Sequence, residues 1–109
     1  MKSYKVLVFP RAAANIDAIL AWIQERSPVG ARRWLAAFEA ATGELAQDPL
    51  RHPLALEARD LGQPIRERFF RTRRGHIYRI LFTVGEVEVR ILGVRGPGQA
   101  PIAPDDVAS

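Results

Sequence analysis

The chain has 109 residues, 48% hydrophobic and 26% charged, with a formal net charge of +4. That length suits one domain with a modest core, and the hydrophobic fraction excludes a disordered chain. Arginine supplies fourteen of the sixteen cations, which points to an acidic partner. The absence of cysteine excludes disulfides, thiol catalysis and cysteine-based zinc sites.

Tyr4–Phe9 is short, β-branched and aromatic, and Pro10 stops it, which predicts a largely buried strand. From Arg11 the period changes: Ile16, Ile19, Leu20 and Ile23 form one apolar stripe on a helix ending near Arg26. Ser27-Pro28 is a helix-start signature. It opens a second helix with Ala31, Trp34, Leu35, Phe38, Thr42 and Leu45 on one face, ending at Asp48-Pro49. The two helices form an antiparallel hairpin. Trp34 reads as core, whereas Trp22 lies just off its stripe, positioned to cover the hairpin or meet a partner.

Leu50–Pro64 lacks sustained periodicity and reads as a connecting loop, with a turn of helix around Ala55–Asp60. Strands are expected over Ile65–Arg71, His76–Val84 and Val87–Val94, with a two-residue turn at Gly85-Glu86. Gly96-Pro97-Gly98 ends the last strand. Residues 1–95 are therefore expected as a single domain, followed by an irregular tail over 96–109.

The stretch Ile65–Arg79 contains Arg66, Arg68, Arg71, Arg73, Arg74 and Arg79, alternating with Ile65, Phe69, Phe70, Ile77 and Tyr78. Such alternation belongs to half-buried strands, not to a solvated basic tail. Pairing Phe82 with Val89 and Arg71 with His76 places Phe69, Tyr78, Ile80, Phe82, Val89 and Ile91 against the helices. The opposite face then mixes Arg66, Arg68, Arg79 and Arg90 with Phe70, Ile77, Leu81, Leu92 and Val94. A one-residue slip would move Arg66 and Arg68 to the core face. In this register Glu67 falls on the core side and fits poorly.

A mixed basic and apolar face is a candidate binding surface. Guanidinium groups there could stabilise charge on a scissile phosphate or meet acidic side chains. His76, beside Arg74 and Arg79, is a candidate general acid or base, though a turn-adjacent histidine also has a plain structural reading. Tyr78 reads as packing. His52 lies in a Pro-rich loop, and two histidines so far apart, without His-x-x-x-His, give no metal site. No cofactor is expected. No segment reads as a signal peptide or membrane span, so the expected compartment is the cytoplasm, without membrane partners.

Tyr4, Val6, Val8, Phe9, Pro10 and Ala12, then Ile65-Arg66-Glu67-Arg68-Phe69, Tyr78-Arg79-Ile80-Leu81-Phe82 and Ile91-Leu92 to Arg95 occur in an order and spacing that resemble the RelE/ParE superfamily of type II toxin–antitoxin toxins. The resemblance spans about Tyr4–Arg95. It implies an α+β fold of β-α-α-β-β-β order, with the helical hairpin on one face of a mainly antiparallel four-stranded sheet. It also implies a hetero-oligomer with a cognate antitoxin, whose docking on the mixed face would involve Phe70, Ile77, Leu81, Arg90, Leu92 and Val94.

RelE-like members cut mRNA on the ribosome without a metal. By position that chemistry would fall to Arg66, Arg68, Arg79 and Arg95, with His76 standing in for the acid–base residue that branch carries after its last strand. ParE-like members instead inhibit DNA gyrase and need no nuclease site. The sequence favours the mRNA interferase slightly, with the gyrase inhibitor and a non-catalytic binding module as alternatives.

Overall fold

The computed structural model describes residues 3–72 and 75–97. Strand β1 (Lys5–Val8) leads into helices α1 (Pro10–Arg26) and α2 (Pro28–Gln47). A 3₁₀ turn (Pro49–Arg51) and the short helix α3 (Leu56–Leu61) precede strands β2 (Arg66–Phe70), β3 (Tyr78–Val84) and β4 (Glu88–Arg95). The sheet order is β1-β4-β3-β2, with β1 parallel to β4 and the other pairs antiparallel. This is the expected α+β arrangement, with one parallel pair. The tail from residue 98 onward lies outside the described residues.

Local chemistry accounts for each helix boundary. Pro10 occupies the first turn of α1, where no backbone donor is needed. Ser27 serves both helices of the hairpin: its N–H donates to the Ile23 carbonyl, closing α1, and its Oγ accepts from Gly30 N–H at 2.9 Å, opening α2. Helix α3 ends at Gly62, whose φ of 65° lies in the left-handed region that glycine enters without a Cβ penalty.

The hairpin packs on one face of the sheet. Trp34, Phe38, Ala41 and Leu45 of α2 are buried there with Tyr78, Ile80, Phe82, Val89 and Ile91. Ile16, Ile19, Leu20 and Ile23 of α1 pack around that core, as their spacing predicts. The α2 stripe is rotated slightly from expectation, since Ala41 rather than Thr42 faces inward and Leu35 is exposed. Trp34 stacks on Phe38 with centroids 5.5 Å apart and meets Tyr78 edge-on at 5.6 Å, geometries that aromatic quadrupoles favour.

Two register differences decide which side chains face where. In the β3–β4 hairpin Val84 pairs with Val89 and Phe82 with Ile91, and Gly85 N–H donates to the Glu88 carbonyl at 2.8 Å. The turn tip is therefore Glu86-Val87, one residue beyond the expected Gly85-Glu86. Moving a tip by one residue changes each pairing by two, so faces are preserved. An irregularity between Leu81 and Phe82 then lets Leu81 pair with Gly93 and Ile80 with Val94. Leu92 is the extra residue of this bulge, and Val94 consequently joins the helix-side core instead of the opposite face.

Strand β2 is displaced by one. Phe70 pairs with Tyr78, Arg68 with Ile80 and Glu67 with Leu81, so the alternation of β2 is the reverse of the expected one. Phe70, expected on the opposite face, is buried against Trp34, Phe38 and Tyr78. Phe69, expected in the core, is 47% exposed. The poor fit of Glu67 was the mark of this slip: in the observed register Glu67 reaches Arg79.

The second face of the sheet carries a core of its own. Ala55, Ile65, Leu81 and Leu92 are buried there beneath Phe9, Ala58 and Leu61. The apolar residues read from the sequence as a docking face are thus covered in large part by α3 and its flanks. Residues 53–55 also run along the outer edge of β2, where Glu67 N–H donates to the Pro53 carbonyl and Leu54 bridges Arg66.

Candidate functional site

Among the described residues the arginines read from the sequence do not converge; Arg73 and Arg74 lie outside them. Because β2 is the edge strand, Arg66 and Arg68 can start on the helix side and still carry their charged ends out to the rim, their stems lying on apolar surface. Arg66 donates to the His52 carbonyl at 2.6 Å, and Arg68 pairs with Glu44 of α2 at 2.7 Å. Arg79 lies on the other side of the sheet. Its two terminal nitrogens hold Glu57 of α3 at 2.8 and 3.0 Å, and one of them also meets Glu67 at 3.0 Å. Arg90 pairs with Glu88 at 2.7 Å, and Arg95 donates to Asn15 Oδ1 at 3.0 Å.

Glu57 is only 1% exposed. A carboxylate so placed must be paired, and the two-pronged guanidinium contact provides this. Hydrogen bonding to Glu57, opposed by burial and aided by Glu67, holds the Arg79 guanidinium above its ordinary pKa. It is therefore a fixed cation already committed to two carboxylates. Through these contacts Arg79 pins α3 to the sheet.

His52 and Tyr78 are built into the packing. His52 stands edge-on to Phe82 at 6.1 Å, and burial, followed by the charges of Arg68 and Arg51, pushes its pKa down. Burial pushes the Tyr78 hydroxyl up, away from the range in which it would exchange protons at neutral pH. Among the described residues no group of histidine and acidic side chains could hold a metal ion.

What remains open lies at the end of the sheet where β2 leaves, β3 enters and β4 finishes. Phe69, on the face of Arg79, and Ile77 are 47% and 53% exposed there, while Trp22 of α1, on the helix side, is 52% exposed and His76 is exposed as well. Arg26 lays its guanidinium 3.8 Å over the Trp22 ring. A cleft of about 520 Å³ runs between α1 and the strand ends, lined by Asn15, Ile19, Trp22, His76, Tyr78 and Pro97 among others. Of the expected antitoxin contacts, only Ile77 is well exposed here, while Phe70, Leu81, Leu92 and Val94 are buried and Arg90 is half-buried beside Glu88. Sequence reasoning noted Trp22 but missed Phe69 as surface, because the β2 slip was not visible in its alternation.

A strand, a helical hairpin and three further strands closing a sheet in the order β1-β4-β3-β2 define the fold of a small RelE/ParE-type toxin. Residues 6–101 match the family described as the ParE toxin of type II toxin–antitoxin system, parDE. The chain belongs to that family. A search of individually curated proteins returns no match. The family carries with it a cognate antitoxin as partner. Among the described residues no helix is long and apolar enough to cross a membrane.

Proposed function

We propose that this toxin inhibits DNA gyrase by protein contact and does not cleave mRNA. The observation that carries the reading is the Arg79–Glu57–Glu67 cluster. Cleavage of RNA without a metal requires cations free to meet the charge that develops on the scissile phosphate. Here Arg79 is taken up by two carboxylates, Arg68 by Glu44, and Arg66 and Arg95 hydrogen-bond a backbone carbonyl and Asn15. Freeing Arg79 for a phosphate would strand Glu57 in the core under α3. These contacts support the gyrase alternative over the mRNA interferase that the basic strands of the sequence slightly favour.

The open end of the sheet suits a protein target. Phe69 and Ile77 at the strand ends, and separately Trp22 on the helix side, offer exposed apolar and aromatic area, of the kind that contributes binding energy at protein interfaces. The test is a supercoiling assay with purified gyrase and the intact chain, alongside primer extension on total mRNA after brief induction in cells. Inhibited supercoiling with unchanged mRNA is the expected result. Ribosome-dependent mRNA cuts with normal supercoiling would overturn the proposal.

A further inference from the structure

The cleft between α1 and the strand ends lies where the described chain leaves the sheet: Gly96 and Pro97 follow β4 directly, and both form part of the cleft wall. Ile19 and Trp22 of α1 also line it, with Asn15, His76 and Tyr78. Two aromatic side chains, an apolar helix face and a few groups able to donate hydrogen bonds are the elements of a peptide groove. Among the described residues no carboxylate lines this cleft. Arg26 stacks on Trp22, and Arg33 lines an adjoining recess that shares Trp22, His76 and Tyr78 with the cleft. Glu25 reaches Arg26 only at 3.6 Å, with both side chains more than half in water, so it neutralises that cation weakly.

The sequence that follows matches this groove in shape and in charge. Residues 98–109 contain Pro101-Ile102-Ala103-Pro104 and then Asp105 and Asp106, while all sixteen cations of the chain lie before them. A Pro-x-x-Pro segment favours the polyproline II helix, whose repeat of roughly three residues at about 3.1 Å each puts both prolines on one side about 9 Å apart. Segments of this kind dock in aromatic-lined grooves, and their preset backbone lowers the entropy lost on docking. Taken as a sphere, a cleft of about 520 Å³ is about 10 Å across, which accommodates one such repeat. Reach is not limiting, since the four residues from Pro97 to Pro101 span at most about 14 Å. A tether this short holds the segment at an effective concentration on the order of millimolar, which favours it over the same motif in another molecule.

We infer that residues 101–106 dock in the cleft of their own chain, with Pro101 and Pro104 against Trp22 and Ile19, and with Asp105 and Asp106 toward Arg26 and Arg33. Opposite charge fixes the direction in which the segment lies. A polypeptide from outside then reaches Trp22 only by displacing the segment, whereas Phe69 and Ile77, which do not line the cleft, stay open. The inference does not depend on which target the toxin has.

The test is acrylamide quenching of tryptophan fluorescence in the full chain. Trp34 is buried, so quenching reports on Trp22. Pro101→Ala, Ile102→Ser and Pro104→Ala are combined in one variant, and Asp105→Lys and Asp106→Lys in another; all five positions lie beyond β4 and both cores. The first variant should raise the quenching constant at least twofold. The second should raise it too, and high salt should move wild type toward it. N-acetyl-Pro-Ile-Ala-Pro-Asp-Asp-amide added to the first variant should restore the protection, and the same peptide with both prolines replaced by alanine should not. Wild-type protection should hold over a hundredfold range of protein concentration. Equal quenching in wild type and the first variant would overturn the inference, as would a peptide that gives no protection. Protection that grows with protein concentration would assign the cleft to the segment of a second copy and overturn docking within one chain. An unchanged Asp105→Lys, Asp106→Lys variant would overturn the ionic part. None of these readouts involves gyrase, so the proposed target stands or falls separately.

Discussion

Replacing Arg79 by leucine tests the assignment of that residue to the scaffold. The variant leaves the Glu57 carboxylate, 2% exposed at its side chain, without the guanidinium that now holds both its oxygens at 2.8 and 3.0 Å. With Arg79 itself at 21% and Glu67 at 17%, the cluster behaves as an interior pair, not a surface one. Surface pairs contribute at most about 1 kcal/mol, whereas removing one partner of a buried pair costs about 3–5 kcal/mol. Against a total of about 5–15 kcal/mol for a domain of this size, Tm should fall by at least about 12 °C. The Glu57→Leu, Arg79→Leu double variant removes both charges, and Glu67 can turn to water at the rim. It should recover most of the loss, with a coupling energy of about 2–3 kcal/mol in a denaturant-unfolding cycle. pH supplies a second signature. In Arg79→Leu the stranded Glu57 has its folded pKa raised above the unfolded value of about 4.3. The variant therefore binds the proton more tightly when folded, and its deficit should shrink as pH falls toward 4. A single variant that loses less than about 1 kcal/mol, or a double variant whose loss equals the two single losses combined, would refute the reasoning.

Four other perturbations follow from the geometry, the last a pair of surface variants. The lowered pKa of His52 means the unfolded chain binds its proton more readily, so wild-type stability should decline as pH drops below about 6.5, and His52→Gln should remove that part of the decline in urea titrations. Ser27→Ala takes away the hydroxyl that accepts from Gly30 N–H and should cost about 1 kcal/mol in the same assay. Leu81→Asp places a charge at a 0% exposed position and should abolish the native circular-dichroism signal. Phe69→Asp and Ile77→Asp, at half-exposed positions, should fold with Tm shifts of a few degrees and lose binding to a protein partner.

Most of the fold was legible because periodicity and punctuation agreed. The apolar stripe of α1, the Ser27-Pro28 junction and the three-strand run each had a local cause that tertiary packing left intact. The faces of β3 and the first half of β4 survived an error in the turn because a hairpin tip moved by one residue preserves alternation. Strand β2 did not enjoy that protection. Its connection to β3 contains no residue pattern that sets parity, and Arg66, Phe69 and Phe70 fit either alternation. Glu67 was the discriminating residue, since a carboxylate among core aromatics needs a cation, and reversing the β2 alternation puts it on the face of Arg79. The Leu92 bulge left no mark in the sequence. Neither did the role of α3, because a six-residue helix carries too little periodicity to reveal that Ala55, Ala58 and Leu61 cover Leu81 and Leu92.

The position of β4 has a consequence for when this protein comes into being. It is the last of the described strands to be synthesised, yet it lies between β1 and β3 and pairs with both. Until it arrives, β1 has no neighbour, α1 lacks the strand on which it rests, and Asn15 has neither the Val94 N–H nor the Arg95 guanidinium to accept from. Local helices can form earlier, but the long-range closure that joins the two ends of the domain must wait. A growing chain released at any point before Glu88 therefore lacks the strand that joins β1 to β3 and leaves the apolar stripe of α1 without its sheet. The sheet closes as one late event, when the strand through Arg95 slots between β1 and β3.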